Sequence, residues 1–180
     1  MTRNGFSIIE VTITILILGI LLTLAVVSMS TSQRHARDAE RKADVEAIAT
    51  HLEDYYQNPK QTPGVGAVPG GGYGSYPGTS FLFSGPEVIY TLIPDLTPES
   101  LRAPGIKNDQ PMSLVPATNS TQTTAGVLPR PTISTYVYQP IQHNGTSLCT
   151  THALNNGCRK FTLYYMTEDN IIHTVVSKNQ

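Results

Sequence analysis

The chain has 180 residues, 12 Lys+Arg against 13 Asp+Glu, and a formal net charge of −1. That balance offers no excess of positive charge for a phosphate backbone. Two cysteines are too few for a disulfide-dense scaffold, and the length suffices for a single hydrophobic core.

Residues 1–5 (MTRNG) form a short polar leader with one cation, Arg3, and end at Gly5. Residues 6–30 are apolar almost throughout. As a helix this run of about 25 residues spans roughly 38 Å, enough to cross a bilayer with some tilt. Its one carboxylate is Glu10. A charge inside a spanning segment costs ~2.5–3.5 kcal/mol on insertion scales, so Glu10 asks for a cationic partner. Snorkelling to the nearby interface is the plainer way to relieve that cost. The hydroxyls of Thr12, Thr14 and Thr23 are expected to bond back to the helix backbone, and Gly19 marks a point of close packing or loosening. A conventional secretory signal places its cleavage site after the apolar run, but Val27-Ser-Met-Ser30 is bulkier than the small-residue pattern such a site uses.

Arg3, Gly5, Phe6 and Glu10 together resemble the signature of type IV prepilins and pseudopilins: a basic leader, a Gly, an aromatic, and a Glu at the fifth mature position. The resemblance implies that a membrane prepilin peptidase cuts between Gly5 and Phe6 and methylates the new amine. It also implies assembly of parallel helices in which Glu10 of one subunit meets the Phe6 amine of its neighbour. Pairing replaces two lone charges in low dielectric by one neutral contact and fixes axial register. Many members carry a Pro later in the helix; this chain departs from that pattern, with no Pro before Pro59. Charge bias alone, Arg3 before the run against Arg34, Arg37, Arg41 and Lys42 after it, argues for the reverse membrane orientation. The leader, read by dedicated machinery, and the cysteines discussed below outweigh it.

Residues 31–58 read as an amphipathic helix. Val45, Ile48, Leu52 and Tyr55 share one face, Arg34 and Asp38 form an i,i+4 pair, and Asn58-Pro59 is the stop. With the apolar run this makes one helix of roughly 50 residues, ~75 Å long. Heptad spacing holds for only about one and a half repeats, which favours a globular partner for the stripe over a coiled coil.

Residues 59–131 hold 12 of the 13 prolines and 10 of the 14 glycines. Gly64–Gly78 is a loop and no phosphate cradle, since Gly-Lys-Ser/Thr is missing. The apolar residues of Phe81–Leu101 are expected to pack locally, with Thr97-Pro98 opening one short helical turn. The hydroxyl-rich stretch 117–126 suits an exposed tip. Asn119-Ser-Thr121 and Asn144-Gly-Thr146 are glycan sequons only in a host with that pathway.

Residues 132–180 read as an antiparallel β-meander, with strands at Thr132–Gln139, Lys160–Thr167 and Asn170–Ser177 and a tight turn at Glu168-Asp-Asn170. Packed on the Val45–Tyr55 stripe, they give an α+β fold: a long N-terminal helix, half embedded in membrane, against a C-terminal antiparallel sheet. This is also the architecture the pilin resemblance implies. Cys149 and Cys158 lie close together, which suggests a disulfide in an exported domain, worth roughly 2–3 kcal/mol in the chain-entropy model. Zinc on Cys149, His152, Cys158 and His143 competes as an irregular ligand set, and free thiols would suit a cytosolic domain.

His35, His51 and His173 lie on helix or strand positions with no nucleophile at a recognisable spacing, so no catalytic residues and no cofactor are assigned. Asp169 alone in a tight turn is weak ground for calcium. The resemblance implies a single-pass precursor in the cytoplasmic membrane that becomes an extracellular type IV pilus filament. Expected roles are adhesion, twitching motility or DNA uptake. Expected partners are further copies of the chain, the prepilin peptidase, an inner-membrane assembly platform and minor pilins; nucleic-acid binding is not indicated. A type II secretion pseudopilin and a membrane-anchored binding domain that never polymerises are the alternatives.

Overall fold

The computed structural model describes residues 7–58, 74–83, 85–93, 96–107, 110–150 and 157–179. The leader, Gly5 and Phe6, most of the glycine-rich loop, and His152 lie outside the described residues.

Ile8–Gln57 is one continuous helix, α1, of 50 residues. Its run free of proline leaves every backbone N–H available to the ladder. The chain divides into two compact units, 1–37 and 38–180. In the first, every described residue from 7 to 36 is exposed. The expected hydroxyl back-bonds are present: Thr12, Thr14 and Thr23 donate to the carbonyls of Ile9, Val11 and Ile20 at 2.7–2.9 Å.

In the second unit, the later part of α1 packs on a four-stranded sheet of order β1-β2-β3-β4, an α+β arrangement. The strands are β1 (Leu114–Pro116), β2 (Tyr136–Gln142), β3 (Cys158–Met166) and β4 (Ile172–Val176). Strands β2, β3 and β4 pair antiparallel in sequence order, as the meander expectation had it. Strand β1 is the addition: three residues from the Pro-rich segment pair parallel with β2. Three residues ending in a proline carry no readable period, and only β2 gives them a ladder.

The first meander strand starts later than its composition indicates. The hydroxyls of Thr132, Ser134 and Thr135 bond one another and the local backbone, closing a turn in place of a strand. Strand β2 then runs through Pro140. Its carbonyl accepts from Cys149 N–H, so the proline nitrogen faces away from β3 and costs that pairing no bond. The turn after β3 lies where expected: Asn170 takes a positive φ of 63°, and Thr167 N–H donates to Ile171.

Two short helices, α2 (Thr79–Phe83) and α3 (Pro86–Leu92), occupy the stretch expected only to pack locally. Pro86 stands at the start of α3, where a missing N–H costs nothing. Thr97 opens a hydrogen-bonded turn and no helix: its hydroxyl meets Ser100, and Arg102 N–H reaches Glu99.

The core joins three sources. Val45, Ile48, Leu52 and Tyr55 of α1 meet Tyr136, Tyr138, Phe161, Leu163 and Tyr165 of the sheet, and Ile89, Ile93, Leu96 and Leu101 close one side. A smaller cluster, Ala117, Val127, Val137 and Tyr164, covers the opposite sheet face. The hydroxyl-rich stretch is exposed at residues 121–125 but anchored beneath. Gln139, wholly buried, donates to the carbonyls of Asn119 and Thr121 and accepts from Tyr164.

Candidate functional site

The first unit carries the chain's most unusual surface. Fifteen large apolar side chains from Ile8 to Met29 are 44–85% exposed, on all sides of the helix. Mean hydropathy over the best window of α1 is 2.7, and none of that window is buried. A soluble monomer rarely shows contiguous apolar surface beyond a few hundred Å²; larger areas mark membrane or protein contacts. Gly19 meets nothing within 4 Å, so its surface is open to close approach by another helix.

Glu10 sits in the first turn of α1, where the unsatisfied N–H groups favour a negative charge. Its backbone N–H donates to Ser7 at 3.1 Å. Among the described residues its carboxylate has no hydrogen-bond or ion-pair partner. Gly5 and Phe6, the other residues of the signature, lie outside the described residues.

Three polar contacts on α1 within the second unit hold the fold. Arg41, 1% exposed, donates from Nη1 to Asp38 (2.8 Å), from Nη2 to Glu168 (3.0 Å) and from Nε to the Ile133 carbonyl (2.9 Å). The Asp38 carboxylate, which spacing assigned to Arg34, goes to Arg41 and to the Glu168 N–H. Asp44 accepts from the Tyr136 hydroxyl at 3.0 Å. Burial pushes the Asp44 carboxyl up to about 6; the Tyr136 bond pulls the other way, and Glu40 adds to the rise. The same burial, with Asp44 beside it, holds the Tyr136 phenol well above its ordinary range. Glu53, also buried, accepts from Tyr76, from the Lys178 N–H and from the Asn179 amide, fastening the strand that leaves β4. Sequence reading missed this set, because Arg41 and Glu53 look like surface charges until the turn at Glu168 and the segment after β4 arrive beside them.

Cys149 and Cys158 are joined in a disulfide, with Cα atoms 5.6 Å apart and both residues buried. With their sulfurs bonded to each other, neither is available as a zinc thiolate, and the zinc set is set aside. The bond ties the segment after β2 to the start of β3, where Cys158 N–H meets Ser75 and its carbonyl accepts from Tyr76.

No protein-family model, curated protein or solved structure matches this chain. A long apolar N-terminal helix, its later part packed on a small, mostly antiparallel sheet that carries a disulfide, is consistent with a pilin-like fold. The apolar helix is likewise consistent with anchoring in a membrane.

Proposed function

We propose that this chain is a structural subunit of a type IV pilus. Its leader is removed between Gly5 and Phe6 by a prepilin peptidase, and the new amine is methylated. The mature chain waits as a single-pass protein of the cytoplasmic membrane and then polymerises through its N-terminal helix. Adhesion, twitching motility or DNA uptake would follow from the extracellular filament.

The observation that carries this reading is that residues 7–36 of the chain are all exposed and bear a single carboxylate, Glu10, which has no partner among the described residues. Lipid satisfies the apolar side chains but leaves the carboxylate costly. A bundle of identical helices satisfies both, because each new Phe6 amine is a cation one turn from a neighbour's Glu10. The gain lies in register more than in raw stability. An anchor that never polymerises gives Glu10 no such partner. A type II secretion pseudopilin uses the same helix and pairing and differs in the machinery that assembles it.

The test is a Glu10→Ala variant with mass spectrometry of the N-terminal peptide from sheared and membrane fractions. We expect a methylated Phe6 terminus in both proteins and a loss of sheared filaments only in the variant. Wild-type filament levels in Glu10→Ala would sink the pairing. An intact Met1 terminus in wild type would reduce the chain to an anchored domain. Processed wild-type chain confined to membranes would favour the pseudopilin.

A further inference from the structure

The second unit has an open surface concavity lined by Tyr56, His143, Arg159, Lys160, Lys178 and Asn179. These residues come from the end of α1, the turn after β2, the start of β3 and the segment after β4. Three permanent cations share it, and among the described residues no carboxylate lines it. Among the described residues Arg159, Lys160 and Lys178 have no ion-pair partner. By contrast the buried Arg41 has two carboxylates. In a chain of net charge −1, three of its 12 cations gathered in one hollow make a local positive field against an acidic background.

The hollow is built. The disulfide pins Cys158, the residue before Arg159 and Lys160. Gly74 stands against the guanidinium: a Cβ there would lie 2.9 Å from Arg159 Nη1 and 3.4 Å from the Tyr56 hydroxyl. Its positive φ of 83° and its N–H bond to the Tyr56 carbonyl hold that approach. Arg159 Nη1 in turn donates to the Tyr56 hydroxyl at 3.3 Å. Lys178 is fixed through its backbone N–H, which donates to buried Glu53 at 2.7 Å, so its exposed side chain plays no part in that anchor. The Asn179 amide nitrogen is committed to Glu53 and Tyr76, which orients the group and leaves its side-chain oxygen as an acceptor.

We propose that this hollow binds an acidic saccharide, a sugar carrying sulfate or carboxylate groups. The cations take the anionic group through charge-assisted hydrogen bonds. The Tyr56 hydroxyl, the His143 imidazole and the Asn179 oxygen between them match the ring hydroxyls of a sugar. A nucleic-acid strand fits less well: tight electrostatic binding draws on a track of roughly 6–10 phosphate contacts, whereas this hollow offers three cations. The proposal does not depend on polymerisation.

The experiment titrates the full chain, in detergent micelles at low salt, with a sulfated heparin-derived disaccharide. The same disaccharide stripped of sulfate, inorganic sulfate alone, and a single-stranded thymidine oligonucleotide are run alongside. We expect saturable binding of the sulfated disaccharide that weakens with salt. Arg159→Gln/Lys178→Gln should bind about tenfold or more weakly, and Lys178→Gln alone, which keeps the backbone anchor, should lose a smaller share. Lys42→Gln, an equal charge change on exposed α1 surface, should bind as wild type. Equal binding of the desulfated sugar, or of sulfate alone, would overturn the saccharide reading. Tighter binding of the oligonucleotide would reassign the hollow to nucleic acid. Unchanged affinity in Lys178→Gln and in the double variant, or an equal loss in Lys42→Gln, would remove the site.

Discussion

The two parts of α1 share one backbone conformation and differ in what surrounds their side chains. From Ile8 to Met29 large apolar groups point in every direction, and none is buried. From Asp38 to Gln57 they keep to one stripe, where Val45, Ile48, Leu52 and Tyr55 are at most 4% exposed. A one-sided stripe needs one partner surface, and the sheet of the same chain supplies it. A helix apolar all round needs a surrounding medium or several partners, and the described residues of the chain supply neither. Where the apolar residues sit about the axis decides whether a helix completes its own domain or is kept for something outside it.

That contrast predicts a graded series of substitutions. Leu52→Ala should cost the most, about 3 kcal/mol, because it opens a cavity between α1 and the sheet. Chemical unfolding followed by tyrosine fluorescence measures it. Arg41→Met should cost about 3 kcal/mol or somewhat less: it strips two carboxylates of their shared cation, but both keep some contact with water. A cost below about 0.5 kcal/mol would show that the cluster adds little to stability.

Removing the disulfide with Cys149→Ser/Cys158→Ser should cost about 2–3 kcal/mol. Amide exchange should quicken first at the start of β3, and with it the anion affinity of the neighbouring hollow should fall.

A smaller effect is expected at Asp44. Its carboxyl is held near 6 in the folded chain against an ordinary 3.8, so between those values the folded state binds more protons than the unfolded one. The stabilising contribution is complete below 3.8 and is lost as the pH rises through about 6. Asp44→Asn keeps an acceptor for Tyr136 and should flatten that part of the pH–stability profile. An unaltered profile would place the pH dependence elsewhere.

Leu16→Ala should change the unfolding of residues 38–180 least, within about 0.5 kcal/mol, since Leu16 is 65% exposed. A cost like that of Leu52→Ala would erase the distinction between the two parts of α1.

The strongly periodic or long features were readable before the fold. The apolar run, the 3-4-3 stripe ending at Tyr55, the three meander strands and the α+β class each depend on spacing within one segment, which a linear reading captures. Strand β1 was not readable, because three residues of which the last is a proline have no pattern of their own and form a strand only beside Tyr136–Tyr138. The segment from Thr132 looked like strand by composition, yet its hydroxyls found closer partners in a turn. The Glu10 signature was legible as chemistry; that its carboxylate meets no partner among the described residues was visible only in the fold.

The sequence by itself determined the periodic elements: a membrane-length helix with one carboxylate, an amphipathic continuation, a β-rich end and two cysteines near enough to bond. Hydrophobic period and chain length set these locally. Only the tertiary structure decided which charges meet. It closed Arg41 between Asp38 and Glu168, turned Glu53 inward to hold the segment after β4, and gathered Arg159, Lys160 and Lys178 around one hollow. Those residues are separated in sequence by as many as 130 positions. Charge interactions depend on distance through space and on burial, neither of which spacing along a chain encodes.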